Sequence, residues 1–87
     1  MKAIVTVIGK DMVGILARAS TVCAQANANV IEVTQSVLQE YFAMIMLIDI
    51  SELNCKLDEL QQKMSESLSE MTIKVMHEDI FNSMHRI

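Results

Sequence analysis

Proline is absent from this 87-residue chain and glycine occurs only twice, while 52% of the residues are hydrophobic and 21% charged. A disordered or low-complexity chain has the opposite profile and lacks the apolar area to offset ordering entropy. Tryptophan is also missing and aromatic residues make up 3%, so the core must be aliphatic. Eight methionines give that core soft, adaptable packing. Positive charge is scarce: seven Lys and Arg against eleven Asp and Glu leave a net charge of −4. The cations are spread along the chain, which argues against a nucleic-acid partner, since phosphate binding needs a clustered positive surface.

Cys23 and Cys55 lie far apart with no CxxC partner, each within an apolar helical pattern. Buried free thiols in a reducing cytoplasm are the expectation. No apolar run reaches the roughly 20 residues of a membrane span, so no membrane partner is expected. The opening Met1-Lys2-Ala3-Ile4-Val5-Thr6-Val7-Ile8 is too short for a signal peptide and reads as a strand. A chain of this length makes one domain, the usual domain taking about 100–150 residues.

What is present is a clear alternation of patterns. Lys2 to Ile8 is β-branched and apolar on both faces, which suits a central strand ending at Gly9. Ile15, Ala19, Val22 and Ala26 then recur at helical spacing, with Arg18, Thr21 and Gln25 on the polar side. Asp11 is the candidate N-cap, and Asn27 or Asn29 the candidate left-handed C-cap. Val30 to Leu38 alternates, with Ile31, Val33 and Val37 on one side and Glu32, Thr34 and Ser36 on the other. One polar face predicts an edge strand.

Gln39-Glu40 predicts a hairpin turn. Tyr41 to Ile50 is the most apolar stretch and the second central strand, with Ala43, Ile45 and Leu47 opposite Met44, Met46, Ile48 and Ile50. Leu53, Leu57, Leu60, Met64 and Leu68 stripe a second helix capped by Ser51 or Asn54. Met71 to Met76 forms a final strand with Ile73 and Val75 inward. Ile80, Met84 and Ile87 share helical spacing behind Asp79, a possible cap, so residues 79–87 are expected to form a short docked helix after a domain of residues 1–78. This order predicts an α+β, ferredoxin-like βαββαβ fold: a four-stranded antiparallel sheet, two helices on one face, and a short C-terminal helix.

One motif carries chemistry. In Gly9-x-Asp11-x-x-Gly14-Ile15 the glycines let backbone approach a ligand, and the N–H groups opening the first helix can hold a carboxylate or phosphate. Asp11 can accept hydrogen bonds from a ligand ammonium, or simply cap the helix. The motif and the topology together resemble the ACT domain family. Ile8 to Leu16 matches its opening loop, Asn29-Val30-Ile31 the start of its second strand, and Tyr41-Phe42-Ala43-Met44-Ile45-Met46 with His77 to Ile87 its small stand-alone prokaryotic members. The resemblance implies a regulatory protein that senses a small ligand, usually an amino acid, where two ACT units meet. Ligand contacts are then expected at Asp11, Met12, Val13, Gly14 and Ile15, with Asn29 opposite or across the interface. Many members carry Pro where this chain has Val13. No catalytic domain accompanies the motif, so the regulated protein is expected to be a separate one.

Other functions fit less well. An acylphosphatase-like enzyme needs an Arg in the first loop, where this chain has Lys10 and Asp11, and no nucleophilic constellation is brought together. A metallochaperone needs a CxxC there. His77, His85, Glu78 and Asp79 lack the convergence a metal demands, and Met44 with Met46 reads as packing. No enzyme activity, cofactor or metal is expected. The runner-up is an interaction module that dimerises and binds a partner protein without a small ligand. In either case a homodimer or higher homo-oligomer is expected, because two helices cover one sheet face and both central strands are apolar on the other as well.

Overall fold

The computed structural model describes residues 1–10 and 13–84. Its elements are β1 (Lys2–Lys10), α1 (Ile15–Gln25), β2 (Asn29–Leu38), β3 (Tyr41–Asp49), α2 (Leu57–Ser67), β4 (Thr72–His77) and α3 (Glu78–Met84). The strands form one four-stranded sheet in the order β2-β3-β1-β4, every neighbouring pair antiparallel. The two strands that are apolar on both faces therefore occupy the centre. β1 runs two residues past Ile8, because Gly9 and Lys10 still pair with Phe42 and Tyr41.

Register explains the core. Val5 lies opposite Met46 and Val75, and Val7 opposite Met44 and Ile73, so these side chains share one face. Onto it α1 lays Ile15, Ala19, Val22 and Cys23, and α2 lays Leu60 and Met64. Val5, Val7, Met44, Met46, Leu60 and Met64 are completely buried. Fully burying one such side chain stabilises by roughly 1.5–3 kcal/mol, which is why a core with few aromatics suffices.

β2 follows its predicted alternation with one exception. Val30 pairs with Ile48 but Glu32 pairs with Leu47, so Ile31 is an extra residue at a bulge. Val30 and Val33 pack on the core, and Ile31 is turned out to solvent. The two edges of the sheet differ. On β4 the Gln61 side chain donates to the Ile73 carbonyl at 2.5 Å and accepts the Val75 N–H at 2.6 Å. Those two groups lie on the same side of the strand, away from β1, and the amide satisfies them as a neighbouring strand does. β2 pairs with β3 along its other side and has no such cover among the described residues.

The second sheet face faces away from α1 and α2. Ile8 is 49% and Ile45 41% exposed there, but Ile4 on the same face only 8%. Ile4 lies outside the helix-side core. α3 packs against β1 and β4, and contributes nothing to that core; the tail helix covers the Ile4 end of the outer face and leaves the Ile8 end bare.

Helix starts depart from the sequence expectations. The residue in the N-cap position of α1 is Gly14 rather than Asp11, which lies outside the described residues. α2 starts after Lys56, not after Ser51 or Asn54, and the Glu59 carboxylate accepts the Lys56 N–H at 3.0 Å. Asn54 instead donates to the Gln25 carbonyl, and Asn27 to that of Glu52, both at 2.9 Å, tying the loop before α2 to the end of α1. Asn27 takes the left-handed conformation, φ 62°, while Asn29 is already in β2. Asp79 sits in the first turn of α3, two residues past the N-cap position. Of the apolar residues expected on that helix, the Met84 side chain and Ile87 lie outside what is described, and Ile80 is 56% exposed.

Candidate ligand-binding site

The candidate residues fall into two groups at opposite ends of the sheet. The loop between β1 and α1 stands beyond Lys10. Asn29 pairs with Asp49, and Asp49 with Lys2. Loop and Asn29 are thus separated by the length of β1, about 25 Å for nine residues. A ligand of amino-acid size cannot bridge that span within one chain.

At the loop end, Asp11 and Met12 lie outside the described residues. Val13 is fully exposed. Gly14 has φ 84° and ψ 10°, and a β-carbon added to it meets no atom within 4 Å. Glycine is therefore needed for its backbone angles and leaves open space above the helix entrance. Ile15 is 2% exposed, so its side chain belongs to the core and only its backbone can serve a ligand. Among the described residues no side chain caps α1, and no acidic residue occupies its first turn. The positive end of the helix dipole suits an anionic group such as a carboxylate.

Neighbouring segments fix this end. Gln39 in the β2–β3 hairpin takes φ 56°, and Glu40 pairs with Lys10 at 3.9 Å across an exposed surface, a contact of little energetic weight. Arg18 donates to the Ser67 carbonyl, using an α1 cation to satisfy the C-terminal end of α2. Sequence reasoning placed Arg18 on a solvated face and missed this role.

At the Asn29 end an open groove of about 410 Å³ is lined by Ala24, Asn27, Ala28, Asn29, Asp49 and Glu52. Its charged side chains are both acidic, which suits an ammonium group. The Ser51 hydroxyl, and after it the Ser51 backbone N–H, hold the Asp49 carboxyl below the ordinary carboxylate range. The Met1 amino group donates to the Ser51 hydroxyl at 3.0 Å. Polar loop residues at a strand end gave no sign in the sequence that Asp49 and Glu52 join Asn29 here. Among the described residues no group of three or more His, Cys, Asp or Glu could hold a metal, and no helix is long and apolar enough to cross a membrane.

Comparison with known proteins shows the family. Residues 2–78 match the family model of the ACT domain. A UPF0237 protein of Clostridium acetobutylicum is 44% identical over 89 residues, covering all of both chains. One from Methanopyrus kandleri is 41% identical, covering 99% of this chain and 98% of the other. Among solved structures, an ACT domain protein from Streptococcus pneumoniae is similar with a TM-score of 0.77 and 33% identity, covering 93% of each chain.

Proposed function

Because the chain belongs to the ACT domain family, we propose that it is a regulatory protein that binds a small ligand, an amino acid, at a contact between two copies of itself. The observation that carries this reading is the separation of the two halves of the candidate site. The entrance of α1, without a side-chain cap among the described residues, suits a carboxylate, and the acidic groove beside Asn29 suits an ammonium. An amino acid presents both groups within a few ångströms of each other, so the halves must come from different chains.

The open edge of β2 supports such a contact. Two β2 strands paired antiparallel about a twofold axis set Asn29 of one copy near the Leu38 end of the other, where the partner's β1–α1 loop stands. The bare Ile8 and Ile45 on the outer face add an apolar reason for the chain not to remain single. Bound ligand would stabilise the pair, and a separate protein reads that state. The protein carries out no turnover in this reading.

A thermal-shift screen against free amino acids tests it. A ligand at a hundred times its Kd adds about 2.7 kcal/mol to stability. Once a ligand is found, Gly14→Val and Asn29→Ala should each abolish its effect. Mixed in equal parts and reassembled, the two variants should regain about one quarter of the sites, since each mixed dimer holds one intact loop opposite one intact Asn29. No recovery, or a single-chain mass in light scattering at micromolar concentration, overturns the composite site.

A further inference from the structure

We propose that His77 makes the docking of α3 pH-sensitive, the neutral imidazole holding the tail helix on the sheet and the protonated ring releasing it. His77 is the last residue of β4 and stands directly before α3, in the N-cap position. Its Nδ1 accepts the backbone N–H of Asp79 at 3.1 Å. Asp79 is the second residue of the helix, one of the two whose N–H an N-cap side chain ordinarily receives. Nδ1 can accept only while it carries no proton, which places the ring proton on Nε2.

Protonation turns Nδ1 from acceptor to donor. The Asp79 N–H then loses its partner, and a positive charge appears at the positive end of the helix. The elements packed against this end of β4 carry the following charged groups. α3 supplies Glu78 and Asp79, the latter with Oδ2 3.6 Å from Nδ1. β1 supplies Lys2, next to the pairing partner Ala3, and the first turn of α2 holds Asp58 and Glu59. Protonation also sets a charged ring beside the Asp79 carboxylate. The ion pair it creates is with a side chain 88% exposed, and such pairs contribute little, less than the cap that is lost. Histidine is the side chain that ordinarily changes charge within about pH 5–8, so the device works under mild conditions. Its consequence is local: releasing α3 bares Ile4 and lengthens the apolar strip that already includes Ile8 and Ile45.

The experiment is NMR on the intact chain from about pH 8 to about pH 5.5, reading the helical population of α3 from Cα chemical shifts and amide exchange corrected for its intrinsic pH dependence. The docked-to-released ratio of residues 79–83 should fall by about 3- to 30-fold, the range a lost N-cap produces, while Val5 and Val7 stay unchanged. His77→Asn keeps an acceptor that does not titrate and should hold α3 docked throughout. A ratio that stays constant or rises on acidification overturns the proposal, a rise showing that the ion pair outweighs the cap. The same decline in His77→Asn overturns it as well, by placing the titration elsewhere.

Discussion

The thioether of Met71 lies against Gly9 so closely that a β-carbon on Gly9 would stand 2.5 Å from Sδ. The Glu70 carbonyl oxygen would be 3.4 Å away on the same side. The turn between α2 and β4 is thereby seated on the end of β1, just before the candidate loop. Gly9→Ala should destabilise by about 1–3 kcal/mol through overpacking, because the buried Met71 has to swing aside. Urea unfolding measures it. Adding Met71→Ala to Gly9→Ala should cost less than Met71→Ala alone, since the new methyl then partly fills the space the thioether leaves.

Cys23 is completely buried, and burial pushes its thiol up from 9.0 to about 11. The folded chain therefore holds this proton more tightly than the unfolded one. Stability from this source is intact below the unfolded value and is lost as pH rises from about 9 toward 11. Denaturant titrations across that range should show the decline in the native protein and a flatter profile in Cys23→Ala. Cys55 is only half-buried, so it should be alkylated well before Cys23 under native conditions.

Asp49 has the opposite linkage. Its carboxyl is lowered, chiefly by the Ser51 hydroxyl, so its contribution is present above the ordinary carboxylate value and disappears as pH falls through the folded one. The melting temperature of the native protein should exceed that of Asp49→Asn at neutral pH, and the gap should close as pH falls below the ordinary carboxylate value. A gap that stays constant would assign the difference to something other than the charge.

Gln61 joins α2 to the outer side of β4 with both ends of its amide. Gln61→Leu keeps the bulk but leaves the Val75 N–H and the Ile73 carbonyl without that partner. A loss of about 1–3 kcal/mol is expected, together with faster exchange of the Val75 amide. Unchanged exchange there would mean that solvent already served these groups.

The layout of the fold was legible in the residues themselves. Ala3, Val5 and Val7 opposite Ile4 and Ile8, and the same doubling across Tyr41 to Ile50, leave a strand no place but the centre of a sheet. The helix starts were not legible, although Asn27 does take the left-handed conformation expected at the end of the first helix. Asp11, Ser51, Asn54 and Asp79 are the residue types that favour such positions, yet Gly14, Lys56 and His77 hold them, because chain geometry rather than preference decided where each helix begins. Ile31 escaped notice for a related reason: strict alternation assumes no inserted residue, and a bulge shifts the faces without altering composition. The loop motif was visible as a pattern, but its distance from Asn29 follows only from strand register, which a single sequence does not reveal.

The covering of β4 by Gln61 has a consequence for growth. A sheet with two bare edges can add copies at both, and repeated addition has no natural end. Here a side chain of the same molecule occupies two groups of the β4 edge, and β2 has no such cover among the described residues. A strand added at β4 would first have to displace the Gln61 amide, whereas one added at β2 would displace nothing comparable. One glutamine on a helix thus makes the two edges of the sheet unequal, and disfavours growth at the β4 side.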